Sequence, residues 1–159
     1  MLHYLDDIRI MITNIQLFKE SVSNYKIVET KKDHRTNISL IDNKTNKTMG
    51  KVILDEIYID STPSSLRFGT VGDEYAIDNY IYLRYINVDQ DYRGQNLSKI
   101  LLQETIKFAN KLGIYEIYLF ATPDADSNLN LDQLVKLYSS FGFKELNRID
   151  EGVDMVLEI

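Results

Sequence analysis

The sequence contains no cysteine, which excludes disulfides, thiol nucleophiles and thiolate metal ligands together. It also lacks any apolar run close to the ~18 residues of a membrane span, and its N-terminus shows no signal-peptide pattern. We therefore expect a soluble protein of the cytoplasm.

Basic residues are in the minority: 18 lysines and arginines stand against 24 aspartates and glutamates, for a net charge of −6. Because neutralising a nucleic-acid backbone requires a basic surface, nucleic acid is not expected as a main partner. An acidic surface favours a cationic partner such as an amine, although it serves solubility equally well.

Internal repeats, low-complexity tracts and Pro/Gly/Ser linkers are also missing, so nothing suggests a second domain. With 159 residues, 44% of them hydrophobic, the chain is long enough to bury a substantial core. We predict a single domain over residues 1–159. The sequence leaves the oligomeric state open, with a homodimer among the alternatives.

The first half of the chain has the pattern of an antiparallel meander. Three strands separated by polar turns are predicted at about Tyr25–Thr30, Asn37–Asp42 and Thr48–Asp60. Before them, Ile8–Ile12 is typical of a short strand, and Ile15–Ser23 of a short helix. After them, residues 61–79 show no periodicity, as in a functional lid or a disordered loop.

The second half alternates strand and helix. Tyr80–Val88 and Tyr115–Ala121 are apolar on both faces, as in buried strands. Between them, Leu97–Leu112 carries one apolar helical stripe, and Gly113 suits the position that ends a helix. This order predicts a βαβ unit with parallel strands.

The C-terminal part completes the predicted fold. A helix begins near Leu131 and ends at Gly142, and Phe143–Ile149 and Val153–Ile159 form a closing hairpin. The predicted class is α+β, a mixed α/β arrangement: a twisted mixed sheet flanked by helices, with one parallel crossover.

The segment from Asp89 to Lys99 joins a strand to the start of a helix. Unpaired backbone N–H groups and the positive end of the helix dipole meet there, which favours a phosphate or pyrophosphate. Arg93 and Lys99 add positive charge. The alternative is an ordinary βα turn, but such a turn has no special need for the Arg93-Gly94 pair.

Two local motifs resemble the GNAT superfamily of acyl-CoA-dependent N-acetyltransferases. The first is Val88 followed by Arg93-Gly94-Gln95-Asn96-Leu97-Ser98 at the start of a helix, and the second is Leu137-Tyr138 followed by Gly142-Phe143. The resemblance implies a GNAT-like fold and acetyl-CoA as co-substrate. It also implies transfer of an acetyl or related acyl group to a primary amine of a small molecule or protein, by direct attack.

The resemblance further implies where the cofactor binds. Backbone amides of the loop would hold the CoA pyrophosphate, and the end of the preceding strand would pair with the pantetheine arm. The backbone N–H of Val88 would face the thioester oxygen. The cofactor-binding residues implied in this way are Ile86, Asn87, Val88, Arg93, Gly94, Gln95, Asn96, Leu97, Ser98 and Lys99.

The sequence departs from the family pattern in three ways. Asn96 and Ser98 stand where the family has small Gly or Ala residues, and the region of Tyr82 and Arg84 lacks the acidic base that some members have. The helix or helices after the first strand are also short, and in this family they help to shape the acceptor site. Asn tolerates unusual backbone angles and is a preferred helix N-cap. These departures keep a second hypothesis open: a catalytically silent module that binds acyl-CoA or a protein partner. A third is an unrelated α+β binding protein without a CoA site.

Tyr138 is the predicted general acid for the departing thiolate. From periodicity alone it is a core residue, and the family resemblance favours the catalytic role. No general base stands out: Glu74, Asp78 and Asp124 flank the expected cleft, and a chain of water molecules is an alternative.

No metal site is predicted. The segment from Asp124 to Asn128 begins like a calcium-binding EF-hand loop, but the required Gly and Glu are replaced by Leu129 and Val135. His3 and His34 lack metal-ligand spacing.

Overall fold

The computed structural model of the chain describes residues 24–59, 78–125 and 128–159. The predicted strand Ile8–Ile12, the predicted helix Ile15–Ser23 and residues 61–77 of the predicted loop lie outside the described residues.

Within those ranges the chain forms one seven-stranded sheet and two α-helices. The strand order is β1-β2-β3-β4-β5-β7-β6, and only the β4–β5 pair is parallel. This mixed sheet with one parallel crossover confirms the predicted fold class. The elements are β1 Tyr25–Lys32, β2 Arg35–Asp42, β3 Thr48–Ile57, β4 Tyr80–Val88, α1 Leu97–Leu112, β5 Glu116–Ala121, α2 Leu131–Ser140, β6 Lys144–Ile149 and β7 Gly152–Glu158.

The first hairpin is longer than predicted, because β1 and β2 continue to a turn at Asp33 and His34. Asp33 makes that tight turn possible by adopting a left-handed backbone conformation, with φ of 55°. Strand β3 ends at Ile57, earlier than the predicted Asp60.

One hydrophobic cluster joins the sheet to both helices. The sheet contributes alternate residues such as Val52, Leu83 and Met155, which are buried on one face. Leu101 of α1 and Val135 of α2 belong to the same cluster. A second, smaller cluster on the opposite face contains three buried residues: Tyr80, Tyr118 and Val156. In the described part of the chain, neither helix is long and apolar enough to span a membrane.

Asp55 connects β2, β3 and β4 on the face of the sheet opposite α1. Its carboxylate accepts hydrogen bonds from Arg35 Nε at 2.7 Å and from Arg84 Nε at 2.6 Å. Arg84 is the extra residue of a β-bulge in β4, between the Leu83–Leu54 and Tyr85–Ile53 pairs. The ion pair therefore fixes β4 at the point where it turns toward the candidate site.

The charge of Asp55 is stabilised although the residue is 7% exposed. Burial alone would raise the pKa of Asp55, but hydrogen bonds and charge from Arg35 and Arg84 outweigh it, and its pKa lies below the ordinary value. A carboxyl with a lowered folded-state pKa stabilises the fold above the unfolded pKa, near pH 4. This stabilisation is lost as the pH falls through the folded-state value.

Replacing Asp55 with Asn is therefore expected to lower the free energy of unfolding at pH 7 by roughly 2 kcal/mol, since two arginines lose their counter-charge. The difference from the unmodified protein should shrink as the pH is lowered through 4. Urea unfolding at several pH values measures both effects. Asp132→Asn is the matched control, because the Asp132–Arg148 pair is exposed and should contribute less than about 1 kcal/mol.

Candidate functional site

The candidate site begins where β4 and β5 stop pairing. The two strands are paired only over Ile81–Ile117, Tyr82–Tyr118 and Leu83–Leu119. Beyond these pairs β4 continues to Val88 alongside β3 alone. The second half of β4 therefore presents one edge to an open cleft.

The register shows which main-chain groups face that cleft. The N–H of Asp89 donates to the carbonyl of Met49, next to the start of β3, at 2.8 Å. Because successive residues of a strand direct their N–H and C=O groups to opposite edges, those of Val88 and Ile86 point away from β3. The Val88 carbonyl accepts a hydrogen bond from Arg93 Nε at 3.2 Å on that side. An extended ligand could pair with this edge as an added strand does.

The loop after β4 uses two left-handed residues to reach α1. Gly94 has φ of 80°, and Asn96, at the N-cap of α1, has φ of 58°. Asn96 adopts the unusual backbone angles that its residue type tolerates, and it occupies the N-cap as expected, but its side chain makes no capping hydrogen bond. In a left-handed cap the side chain is directed away from the first helical N–H groups, whereas side-chain capping needs extended angles.

The backbone N–H groups in the first turn of α1 therefore donate no hydrogen bond to the Asn96 side chain. The first intrahelical hydrogen bond runs from the Ile100 N–H to the Asn96 carbonyl at 3.3 Å. The N–H groups of Leu97, Ser98 and Lys99 precede it and have no acceptor within the helix. Together with the helix dipole they favour an anion at this point.

Tyr92 links this loop to the turn between β2 and β3. Its hydroxyl donates to Asp42 Oδ2 at 3.0 Å and lies 3.2 Å from Thr45 Oγ1. Asp42 in turn accepts the backbone N–H of Lys44 at 2.7 Å. The β2–β3 turn and the loop before α1 are therefore held together by side chains.

A cavity of about 600 Å³ lies between the open edge of β4, the loop, α1 and α2. This volume is within the range of small-molecule sites, and the lining mixes apolar and polar side chains as such sites do. The residues that line it are Tyr85, Ile86, Asn87, Val88, Arg93, Gly94, Asn96, Leu97, Ser98, Leu102, Thr122, Asp124, Asn128, Leu129, Leu134, Leu137 and Tyr138.

Most of the residues predicted to bind the cofactor lie on this lining. It includes both predicted groups, the strand end from Ile86 to Val88 and the loop with the start of α1. Gln95 and Lys99 are exposed and do not line the cavity. Their side chains are directed elsewhere because consecutive residues of the loop and of a helix face different directions.

Tyr138 reaches the cavity from α2. It is 7% exposed and packs edge-on against Phe143, with the ring centroids 5.8 Å apart. Burial, and then the negative charge of Asp124, raise the pKa of Tyr138 to about 12. The phenol therefore carries its proton throughout the physiological pH range. It is both a core residue and a cavity residue, which reconciles the two interpretations of its position.

The structure distinguishes among the three acidic residues considered as bases. Glu74 lies outside the described residues. Asp78 precedes the start of β4, at the end of the strand opposite the cavity. Asp124 follows the end of β5 and lines the cavity.

Several cavity residues were not predicted. Thr122 and Asn128 lie in the connection between β5 and α2, and Leu134 and Leu137 lie on α2. The amphipathic positions of Leu134 and Leu137 are visible in the sequence, but the exposure of all four residues to a cavity depends on how far β4 and β5 diverge. Among the described residues, no group of three or more histidine and acidic side chains could hold a metal ion.

A family profile and a related human protein both identify acetyltransferases as similar to this chain. The profile of the "Acetyltransferase (GNAT) family" matches residues 18–143, which is well over half of the chain. Human N-acetyltransferase 8B is 33% identical over 82 residues, a segment that covers 48% of this chain and 34% of that protein. The chain thus spans about a third of this relative.

Solved structures share the fold. An acetyltransferase of the GNAT family from Listeria monocytogenes has a TM-score of 0.57 at 21% identity, covering 77% of this chain and 64% of that one. The PaiA N-acetyltransferase of Thermoplasma acidophilum, in complex with coenzyme A, has a TM-score of 0.55 at 16% identity. That match covers 79% of this chain and 62% of the other. At these identities the likeness concerns the fold.

Proposed function

The chain belongs to the GNAT family of acetyltransferases, and on that basis we propose that it transfers an acetyl group from acetyl-CoA to a primary amine by direct attack. The acceptor is an amine of a small molecule or of a protein. The observation that carries this proposal is the cavity, in which the open edge of β4, the N-terminus of α1 and Tyr138 meet.

The geometry supports a specific placement of the cofactor. The pyrophosphate would lie at the N–H groups of the first turn of α1, near Gly94 and Ser98. The pantetheine arm would run along β4 and pair with the main-chain groups of Ile86 and Val88. A free N–H on that edge, that of Val88 in our prediction, would donate to the thioester oxygen as negative charge develops there.

Acetyl transfer then requires that the thioester and the amine be held together and that protons be transferred. Holding the thioester and the amine together in the right orientation can supply roughly 7–11 kcal/mol of the barrier. Tyr138 would donate its proton to the departing CoA thiolate. Because the chain has no cysteine, an acyl-thioenzyme intermediate is excluded.

Thiol release from acetyl-CoA in the presence of a panel of primary amines tests the proposal. The chain has no thiol of its own, so free CoA is the only thiol that accumulates. Turnover with at least one amine is expected. Binding of CoA without turnover on any amine would favour the catalytically silent module, and absence of CoA binding would contradict both hypotheses.

Introducing a carboxylate at the anion site should weaken cofactor binding without unfolding the protein. We expect Ser98→Asp to weaken CoA binding at least about 100-fold in calorimetry, because like charges placed together cost several kcal/mol. The fold should be retained, since an acidic side chain in the first turn of a helix is stabilising.

Gln103→Asp is the matched control. It adds the same charge to the exposed face of α1, outside the cavity, and should leave CoA binding within about threefold. Equal losses in the two variants would mean that net charge, and not the first turn of α1, governs binding. An unaffected Ser98→Asp would remove the anion site from this position.

A further inference from the structure

Asp124 lines the same cavity as the end of β4 and Tyr138. It lies five residues beyond Leu119, and Val88 lies five residues beyond Leu83, the last residue paired with Leu119. Both residues lie beyond the point where the strands have separated, and both line the same cavity.

The charges around Asp124 leave it available to a cation. The other titratable side chains that line the cavity are Tyr85, Arg93 and Tyr138, and Arg93 donates to the Val88 carbonyl. In the described part of the chain, no ion pair and no hydrogen bond involves the Asp124 carboxylate. Its charge acts on Tyr138, so the two groups share one electrostatic environment.

We propose that Asp124 binds the ammonium form of the acceptor amine in this cavity and accepts its proton, an inference that rests on the proposed acetyl transfer. It is the one carboxylate among the described residues of the cavity lining. The acceptors selected in this way are strongly basic primary amines, which are ammonium ions at neutral pH and unreactive until they lose a proton.

The proton transfers balance. The ammonium gives one proton to Asp124, and the nitrogen lone pair of the resulting amine forms a bond to the thioester carbonyl carbon. When the C–S bond breaks, the thiolate takes the proton of Tyr138, and the protonated amide nitrogen returns a proton to the phenolate. Asp124 releases its proton to water. The products are the amide, free CoA and one proton.

Proximity favours the first step, because an ammonium bound at the Asp124 carboxylate lies next to the group that takes its proton. Attack on the thioester consumes the neutral amine as it forms and so draws the proton transfer forward. The raised pKa of Tyr138, which burial and the charge of Asp124 cause, keeps the acid protonated beside a base. Two groups of opposite function would then lie in one cavity, as paired acid and base sites require.

Kinetics of Asp124→Asn with two acceptors test the assignment. The first is the alkylamine turned over fastest, and the second is a hydrazide, which is neutral at pH 7. We expect kcat/KM for the alkylamine to fall about 100-fold at pH 7, and to recover as the pH approaches the pKa of the amine. The hydrazide should lose less than about threefold, and Asp124→Glu should retain part of the activity. Asp33→Asn, the same change at the distant β1–β2 turn, should behave as the unmodified protein.

Equal losses with both acceptors, or a loss that does not change with pH, would overturn the role of Asp124 as base, and so would full activity of Asp124→Asn. A second measurement does not need turnover. In carboxyl-labelled protein with CoA bound, butylammonium should shift the resonance that is missing from Asp124→Asn. Absence of a saturable shift overturns the ammonium site. A shift without turnover on any amine would support the site and contradict the proposed acetyl transfer, so the two failures are distinguishable.

Discussion

Replacing Tyr138 with Phe is expected to lower kcat for acetyl transfer at least about 100-fold, the contribution typical of a general acid. The KM for acetyl-CoA should change little, because the proposed cofactor contacts come from main-chain groups. Stability should also change little, since the substitution keeps the ring that packs against Phe143. Steady-state kinetics of thiol release measure both constants.

The pH dependence of kcat follows from the ionisation of the Tyr138 phenol. Because the pKa of Tyr138 is raised to about 12, the acid stays protonated far above neutrality. The kcat of the unmodified protein should therefore show no falling limb between pH 7 and about 10.

Tyr115→Phe is the control for this variant, because Tyr115 is 68% exposed and lies outside the cavity lining. It should leave kcat unchanged. If Tyr138→Phe retained full activity, the thiolate would take its proton from water or another donor, and Tyr138 would be a core residue only.

Replacing Gly152 with Ala is expected to lower the free energy of unfolding by about 3 kcal/mol, the upper end of the usual cost of overpacking. An added Cβ would lie 2.4 Å from Phe120 Cζ and 2.6 Å from the Ala121 carbonyl oxygen. The Phe120 side chain could move aside as a whole, but the carbonyl belongs to the β5–β7 ladder, so the strands would have to separate. For a chain of this length the expected decrease in Tm is about 6–12 °C.

Gly94→Ala provides the comparison in the same measurement. Gly94 has φ of 80° but no atom within 4 Å of an added Cβ, so the cost is limited to backbone strain of about 1–2 kcal/mol. Equal stability of Gly152→Ala and the unmodified protein would show that β5 and β7 separate readily at this position.

The parts of the fold that depend on local pattern were predictable from the sequence. Helix α1 was predicted at its observed bounds, because an apolar stripe and Gly113 define its length and its end. Strand β4 was also predicted at its observed bounds, since six of its nine residues are aromatic or β-branched. The family resemblance then located eight of the 17 lining residues, from the end of β4 to the start of α1.

The remaining features depend on contacts between distant segments. Asp55 is a charged residue within a strand, and its burial becomes understandable only when Arg35 and Arg84 meet it from β2 and β4. Asp124 belongs to a polar connection without periodicity. Its place in the cavity follows from the divergence of β4 and β5, which the composition of neither strand specifies.

The short parallel contact between β4 and β5 has a mechanical consequence. It joins two antiparallel blocks, β1–β4 and β5–β7, each held by its own continuous ladders, through only three residue pairs. A rotation between the blocks would pivot at Leu83 and Leu119, and the end of β4 at Val88 lies roughly 16 Å from that pivot at the rise of an extended strand. A few degrees of rotation would therefore displace that end by about 1 Å. This displacement would widen or narrow the cavity, and the hydrogen bonds within each block would stay intact.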